Sequence, residues 1–250
     1  MVAMDLTSRT VLVTGATSGI GRGLAERLAD AGSTVVAAGR RADLLAEVAA
    51  HPRVHPLTLD VTDPASVASA VDDLLARFPA LDTVLLNAGV MLPEDLTAGD
   101  DLATAELTVA TNLLGPLRLA AALVPHLLDR PGAALVTTTS GLAYVPLPAT
   151  PTYSATKAAL ASWTESLRVQ TAGRLEVVEL APPAVRTGLM GHQASPHAMP
   201  LDDFLTESLA LLAQAPTPPQ VLVENVHPLR FARERGTYAD VLATLSARTR

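Results

Sequence analysis

The sequence predicts a doubly wound, mainly parallel α/β sheet in three αβα layers, formed as one domain over residues 1–250. Three observations predict it. Short apolar runs alternate with helical patterns of about ten residues or more, as in βαβ units. The first run breaks at a glycine cluster that opens a helix. A hydrophobic content of 49% over 250 residues is enough to bury a large core. Strands alternating with such helices imply a parallel sheet covered on both faces.

In order, Thr10–Thr14 is a strand, and Gly19–Ala31 a helix with Leu24, Leu28 and Ala31 on one face. The pattern repeats with a strand at Thr34–Ala38, a helix at Ala42–Ala50 and a strand at Val54–Leu59. A helix over Pro64–Phe78 opens with Asp63 as N-cap and Pro64 at its first position. A strand at Thr83–Leu86 stops at Asn87-Ala88-Gly89. The second half predicts a long helix over Asp101–Leu128 interrupted near Gly115-Pro116, a strand at Ala133–Thr138, a helix at Thr152–Gln170 and a strand at Leu175–Leu180. From Ala181 prolines and glycines punctuate the chain, and residues 184–214 read as a lid over a substrate, made of a loop and the short helix Asp202–Gln214. A linker at 215–219, a strand at Gln220–Val223 and an arginine-bearing tail complete the chain.

A formal net charge of −7 and a pI near 5.3 argue against nucleic acid as a partner. The absence of cysteine excludes disulfides and thiolate catalysis. No leader pattern is seen at Met1–Thr10 and no apolar run approaches eighteen residues, so the expected address is the cytoplasm, with no membrane association. The six histidines, including His51, His55, His192 and His197, have no metal-site context, and no metal is expected.

Thr14-Gly15-Ala16-Thr17-Ser18-Gly19-Ile20-Gly21 sets three glycines where a strand turns into a helix. Gly15 suits the tight turn, Gly19 a close approach to pyrophosphate, and Gly21 the packing of helix on strand. The spacing is GxxxGxG, not GxGxxG. At the end of the second strand, where a dinucleotide's adenosine ribose would lie, stand Gly39-Arg40-Arg41 and no carboxylate. Arginine suits a 2′-phosphate, so NADP(H) is favoured over NAD(H). Asp60 and Val61 fall where adenine would sit, and Asn87, Ala88 and Gly89 would pass beneath the cofactor. Lys157 is the only lysine among eighteen basic side chains, and it follows Tyr153 by one helical turn. A cation so placed is expected to lower the phenol pKa from roughly 10 and fit it for acid–base work.

As a set and in this order, the glycine loop, Asn87-Ala88-Gly89, Asn112, Ser140 and Tyr153-x-x-x-Lys157 resemble the short-chain dehydrogenase/reductase family, over about Ser8–Met190. Leu180–Val185 and the tail resemble its DltE-like branch. The resemblance implies a Rossmann fold and reversible hydride transfer between nicotinamide and a carbonyl or secondary alcohol. It implies Tyr153 as general acid and base, and Lys157 as the group that tunes it and holds the nicotinamide ribose. Ser140 would orient the carbonyl and Asn112 would hold a proton-relay water. Pro182, Val185 and Thr187 would border the nicotinamide. Leu142, Tyr144, Leu147, Arg186, Met190 and His192 would line the substrate pocket, apolar with one cationic anchor. The family's Pro-Gly after the sixth strand is here Pro182-Pro183, and its glycine-rich end is replaced by 224–230, so a homodimer through the long helices is expected before a tetramer. The partner is then a small carbonyl or alcohol. The competing reading is a nucleotide-binding regulatory or scaffold protein of the same fold without chemistry, from which the complete Asn112, Ser140, Tyr153 and Lys157 set argues away.

Overall fold

The computed structural model describes residues 4–99 and 102–247. Its centre is a seven-stranded, fully parallel sheet. The strands are β1 (Thr10–Thr14), β2 (Thr34–Gly39), β3 (Val54–Thr58), β4 (Thr83–Leu86), β5 (Ala134–Thr138), β6 (Glu176–Leu180) and β7 (Gln220–Val221). Their order across the sheet is β3-β2-β1-β4-β5-β6-β7. β3 lies at an edge, where Pro56, opposite Ala37, leaves no inner ladder bond unmade.

Alternation along β1 divides the core. Val11 and Val13 face α1 (Gly19–Asp30) and α7 (Leu201–Leu212), whose Leu24, Leu28, Phe204 and Leu205 are buried with them. Leu12 faces the opposite layer, buried with Leu74 of α3 (Pro64–Arg77), Leu119 and Leu123 of α5 (Gly115–Leu128), and Leu167 of α6 (Pro151–Gln170). The short α2 (Ala42–Val48) follows β2 and packs on β2 and β3. Asp63 caps α3 as expected, its carboxylate accepting from the Ala65 amide at 2.9 Å.

The expected interruption of the long helix near Gly115-Pro116 takes the form of a π turn: α4 (Ala103–Val109) passes through Ala110–Leu114 into α5, which opens at Gly115 and Pro116. Its expected start, Asp101, lies outside the described residues. By length and composition Ala103–Leu128 could cross a bilayer, yet 44% of its apolar window is buried inside the fold, where Leu119, Leu123 and Leu127 pack under the sheet. The helical half of the expected lid packs into the core. Phe204 is fully buried in α7, and a side chain at Gly23 of α1 would run into Leu205. The stretch before α7 is tied to the core at Val185 and Met199, which are buried and bridged to each other. In the arginine-bearing tail, α8 (His227–Arg230) and α9 (Tyr238–Ala247) follow β7.

Candidate active site

Chain order reverses between β1 and β4, which places a crevice beyond their C-terminal ends. Thr14 ties the two strands together there. Its hydroxyl accepts from the Asn87 and Ala88 amides at 2.9 and 3.1 Å, and the Asn87 side chain donates to the Thr14 carbonyl. Beyond this knot opens a cleft of about 1290 Å³.

One arm is lined by Gly15, Thr17, Ser18, Gly19 and Ile20 from the first loop, Arg40 and Arg41 after β2, and Asp60 and Val61 after β3. Gly15 has a left-handed φ of +68°, and a Cβ there would stand 2.8 Å from the Ala88 Cα, so only glycine fits. Gly21 does not reach the cleft wall; it lets α1 close onto the Gly15 carbonyl, as its packing role predicts. Ser18 stands at the N-cap of α1 but makes no side-chain cap, which leaves first-turn amides open at the positive end of a twelve-residue helix. Such an end suits a pyrophosphate. Arg41 Nη2 donates to the Thr17 hydroxyl at 2.7 Å. Burial works against the Asp60 carboxylate, but the Thr62 hydroxyl and amide and the Arg40 charge hold it below its usual range. The arm is therefore long, open to anions at its middle and cationic at its far end, and its residues fit a dinucleotide.

The other arm holds the expected chemistry. Lys157 and Tyr153 are buried on α6, 4% and 6% exposed, and the lysine Nζ lies 5.6 Å from the phenol ring centroid. The start of α6 is fixed by Glu94, whose carboxylate accepts from the Thr152 amide at 3.0 Å and the Thr152 hydroxyl at 2.7 Å. Ser140 leaves β5 in extended conformation and accepts from the Leu142 amide. Asn112 is fully buried within the π turn, one layer behind the cleft wall. Its amide is held by Val90 on both sides, Oδ1 accepting at 2.8 Å and Nδ2 donating at 2.7 Å. A Cβ on Gly89 would lie 3.2 Å from Asn112 Oδ1 and 3.7 Å from Lys157 Nζ, so these two side chains share the floor beneath Gly89. Asn87, Ala88 and Gly89 line that floor, and Pro182, Val185 and Thr187 line the opposite rim.

The expected tuning of the phenol is overturned in the free protein. Burial pushes Tyr153 up to about 12, against a smaller lowering by the Ser140 hydroxyl. Lys157 is itself pushed down to about 8 by burial and donates to the Thr138 carbonyl at 2.8 Å instead of serving the phenol.

Of the expected substrate residues, Leu142, Leu147 and Met190 line the cleft, the last with a left-handed φ of 52°. Two do not. Arg186 is absent from the cleft lining, its Nε donating to the Ser195 and Ala198 carbonyls of its own loop at 3.2 and 3.1 Å. Tyr144 turns behind the Ser140 segment, where its hydroxyl donates to Glu179 at 2.8 Å and Arg230 stacks on its ring. Burial and then the Glu179 charge push that phenol far above its usual range. The side chain of His192 lies outside the described residues. Sequence reasoning missed α9, four of whose residues line the cleft, although Val241 and Leu245 at helical spacing carried the signal.

A family model described as short chain dehydrogenase matches residues 9–197. The chain belongs to the short-chain dehydrogenase/reductase family. Within it the chain falls in the DltE-like branch, being 40% identical over 189 residues to the uncharacterized oxidoreductase DltE of Bacillus subtilis, with 74% of this chain and 75% of that protein covered. It is 36% identical over 205 residues to sulfoacetaldehyde reductase 2 of Chromohalobacter salexigens, covering 77% and 81%. A short chain dehydrogenase from Burkholderia cenocepacia in complex with NADP superposes with a TM-score of 0.82 at 27% identity, covering 96% and 99%. A 3-ketoacyl-(acyl-carrier-protein) reductase from Brucella melitensis complexed with NADH gives 0.78 at 26%, covering 88% and 96%. The chain is thus an NAD(P)-dependent oxidoreductase acting on a small molecule.

Proposed function

We propose that this chain is an NADP(H)-dependent carbonyl reductase and alcohol dehydrogenase in which Tyr153 is the general acid for reduction and the base for oxidation. The observation that carries the reading is convergence: Ser140, Tyr153 and Lys157 meet at one end of a cleft whose other end is built for a dinucleotide. When bound, the nicotinamide supplies or accepts hydride. Everything else falls to this chain. Ser140 donates to the substrate oxygen and shares the charge that grows there. Tyr153 delivers the proton to that oxygen in reduction and takes it back in oxidation. Lys157 would hold the nicotinamide ribose when the cofactor is bound and return a proton to Tyr153. Asn112 keeps Gly89 and Val90 in place below them. Arg40 and Arg41, with no acid at the end of β2, support the choice of NADP(H), the former lying beside Asp60 and the latter beside Thr17. A homodimer is supported by Leu107 and Leu114, 41% and 40% exposed, on the long helix that packs against α6.

The test is NADPH oxidation with a panel of aldehydes and ketones. Tyr153→Phe is expected to lose activity by about 10²-fold or more while binding NADPH unchanged. Equal turnover by the variant would remove the phenol from the mechanism. Arg40→Ala is expected to weaken NADPH far more than NADH; an equal loss would contradict a 2′-phosphate contact.

A further inference from the structure

The substrate end of the cleft is closed by a helix that carries a negative charge. α8 sits against the segment after Ser140: a Cβ on Gly141 would meet Leu229 and Val226 of the stretch around α8. α9 packs on α8, so it stands on the Ser140 side of the cleft and away from the nucleotide arm. Its first turn is fixed by Arg233, whose guanidinium lies 4.0 Å from the Tyr238 ring centroid, and by the Thr237 carbonyl accepting from the Val241 amide. The residues of α9 that line the cleft are Asp240, Val241, Thr244 and Leu245, at i, i+1, i+4 and i+5, which is one helical face.

The charges around the cleft are unequally shared. Among the described lining residues, the arginines and Asp60 belong to the nucleotide arm and Lys157 to the floor. Towards the substrate end the remaining ionisable lining residues are Asp240 and His197. Three neighbouring cations stand outside the lining: Arg186 donates within its own loop, Arg230 is held by Gln220 and Glu234, and Arg233 lies over the Tyr238 ring. Asp240 is exposed, and no cation is paired with it among the described residues.

We infer that α9 is the specificity element of this site and that Asp240 selects against anionic substrates, so that the substrate is an apolar carbonyl compound or alcohol whose far end is neutral or cationic. Val241 and Leu245 cover the apolar body of the substrate, and Asp240 meets whatever charge it carries at the end remote from the reacting oxygen. An organic anion would bring its charge toward Asp240 at an end of the cleft that no arginine lines among the described residues. This rests on the reductase reading above.

Three aryl ketones of one shape test it: acetophenone, 4-acetylbenzoate and 4-(aminomethyl)acetophenone. Each is measured for NADPH-dependent reduction and, separately, for binding to the complex with NADP⁺ by calorimetry. The wild type is expected to prefer the neutral and cationic ketones to the anion by about two- to fivefold in kcat/KM and in affinity, the scale of one exposed charge pair. Asp240→Asn is expected to shrink that ratio and Asp240→Lys to reverse it, with a thermal midpoint measured for each variant. Asp203→Asn, which removes a distant exposed charge on α7, is expected to leave the ratio as it was. An anion handled as well as the neutral ketone by the wild type, or an Asp240→Lys variant with all three shifted equally, overturns the inference. If none of the ketones is reduced but binding follows the same charge order, the specificity reading stands and the reductase reading falls; binding without that order removes the specificity reading.

Discussion

The lysine of the Tyr153-x-x-x-Lys157 turn is the residue whose state the fold changes most. It is 4% exposed, and burial brings it down from 10.5 to about 8. The sign of the consequence follows from linkage. Between about pH 8 and 10.5 the unfolded chain holds a proton at this site that the folded chain has lost, so stability rises with pH across that window. Below about 8 both states hold the proton and the full cost of burying the charge is felt. Lys157→Met in the cofactor-free protein is therefore expected to raise the thermal midpoint near pH 7, by an amount that shrinks as pH approaches 10. Differential scanning fluorimetry across that range checks it, and an increment that does not vary with pH would show that the buried charge is not its source. Tyr153 acts in the opposite sense. Its folded value of about 12 lies above 10, so its contribution is present below about pH 10 and is lost as pH rises toward 12. The spacing of these two residues was legible in the sequence, but their electrostatics were not. An i, i+4 pair says that two side chains share a face, whereas the direction of each shift depends on desolvation by layers of chain that no local spacing describes.

At the scale of the element, α6 is the platform, and its first turn is set from outside by Glu94. That carboxylate does the work of a cap at a helix N-terminus, accepting from both the amide and the hydroxyl of Thr152, one residue before Tyr153. Glu94→Ala is expected to cost about 1 kcal/mol of stability and to lower kcat more than it raises KM, because it loosens the phenol and not the substrate pocket. Denaturant unfolding and steady-state kinetics read the two effects, and Glu94→Gln should recover part of the first. Strands β1 to β6 and helices α1 to α6 were legible because apolar runs, glycine breaks and the Asp63-Pro64 start are local signals. The orientation of Arg186 and Tyr144 was not, since each is decided by acceptors distant in sequence or hidden in loop backbone: the Ser195 and Ala198 carbonyls in one case and Glu179 in the other. The ordering of the tail as α9 escaped for a related reason, as its apolar face has no meaning until α8 and the cleft are in place. The lid was over-extended because a helix after a proline-rich stretch reads alike whether it covers a ligand or, like α7, the sheet.

Across the whole molecule, the sheet separates two apolar layers that share no side chain. Phe204 belongs to the layer of α1 and α7, Leu123 to the layer of α3, α5 and α6. Phe204→Leu and Leu123→Val are each expected to cost about 1 to 2 kcal/mol, and the double variant their sum to within ~0.5 kcal/mol. Chemical denaturation of the four proteins measures it; a larger departure from additivity would mean that strain passes through the strands. The site draws on both layers, the nucleotide arm lying at the start of α1 and the acid–base pair on α6, so damage to either layer should reach catalysis by a different route.

The single lysine gives the molecule one further property. Apart from the chain terminus, an amine-directed reagent finds its only primary amine at Lys157, inside the cleft and with a lowered proton affinity that favours the nucleophilic form. Acylation of this protein is thus a chemical readout of whether the cleft is open. Occupancy by a nucleotide or a tight inhibitor would register as slowed labelling at one position, with no engineered probe and no second lysine to blur the mass change.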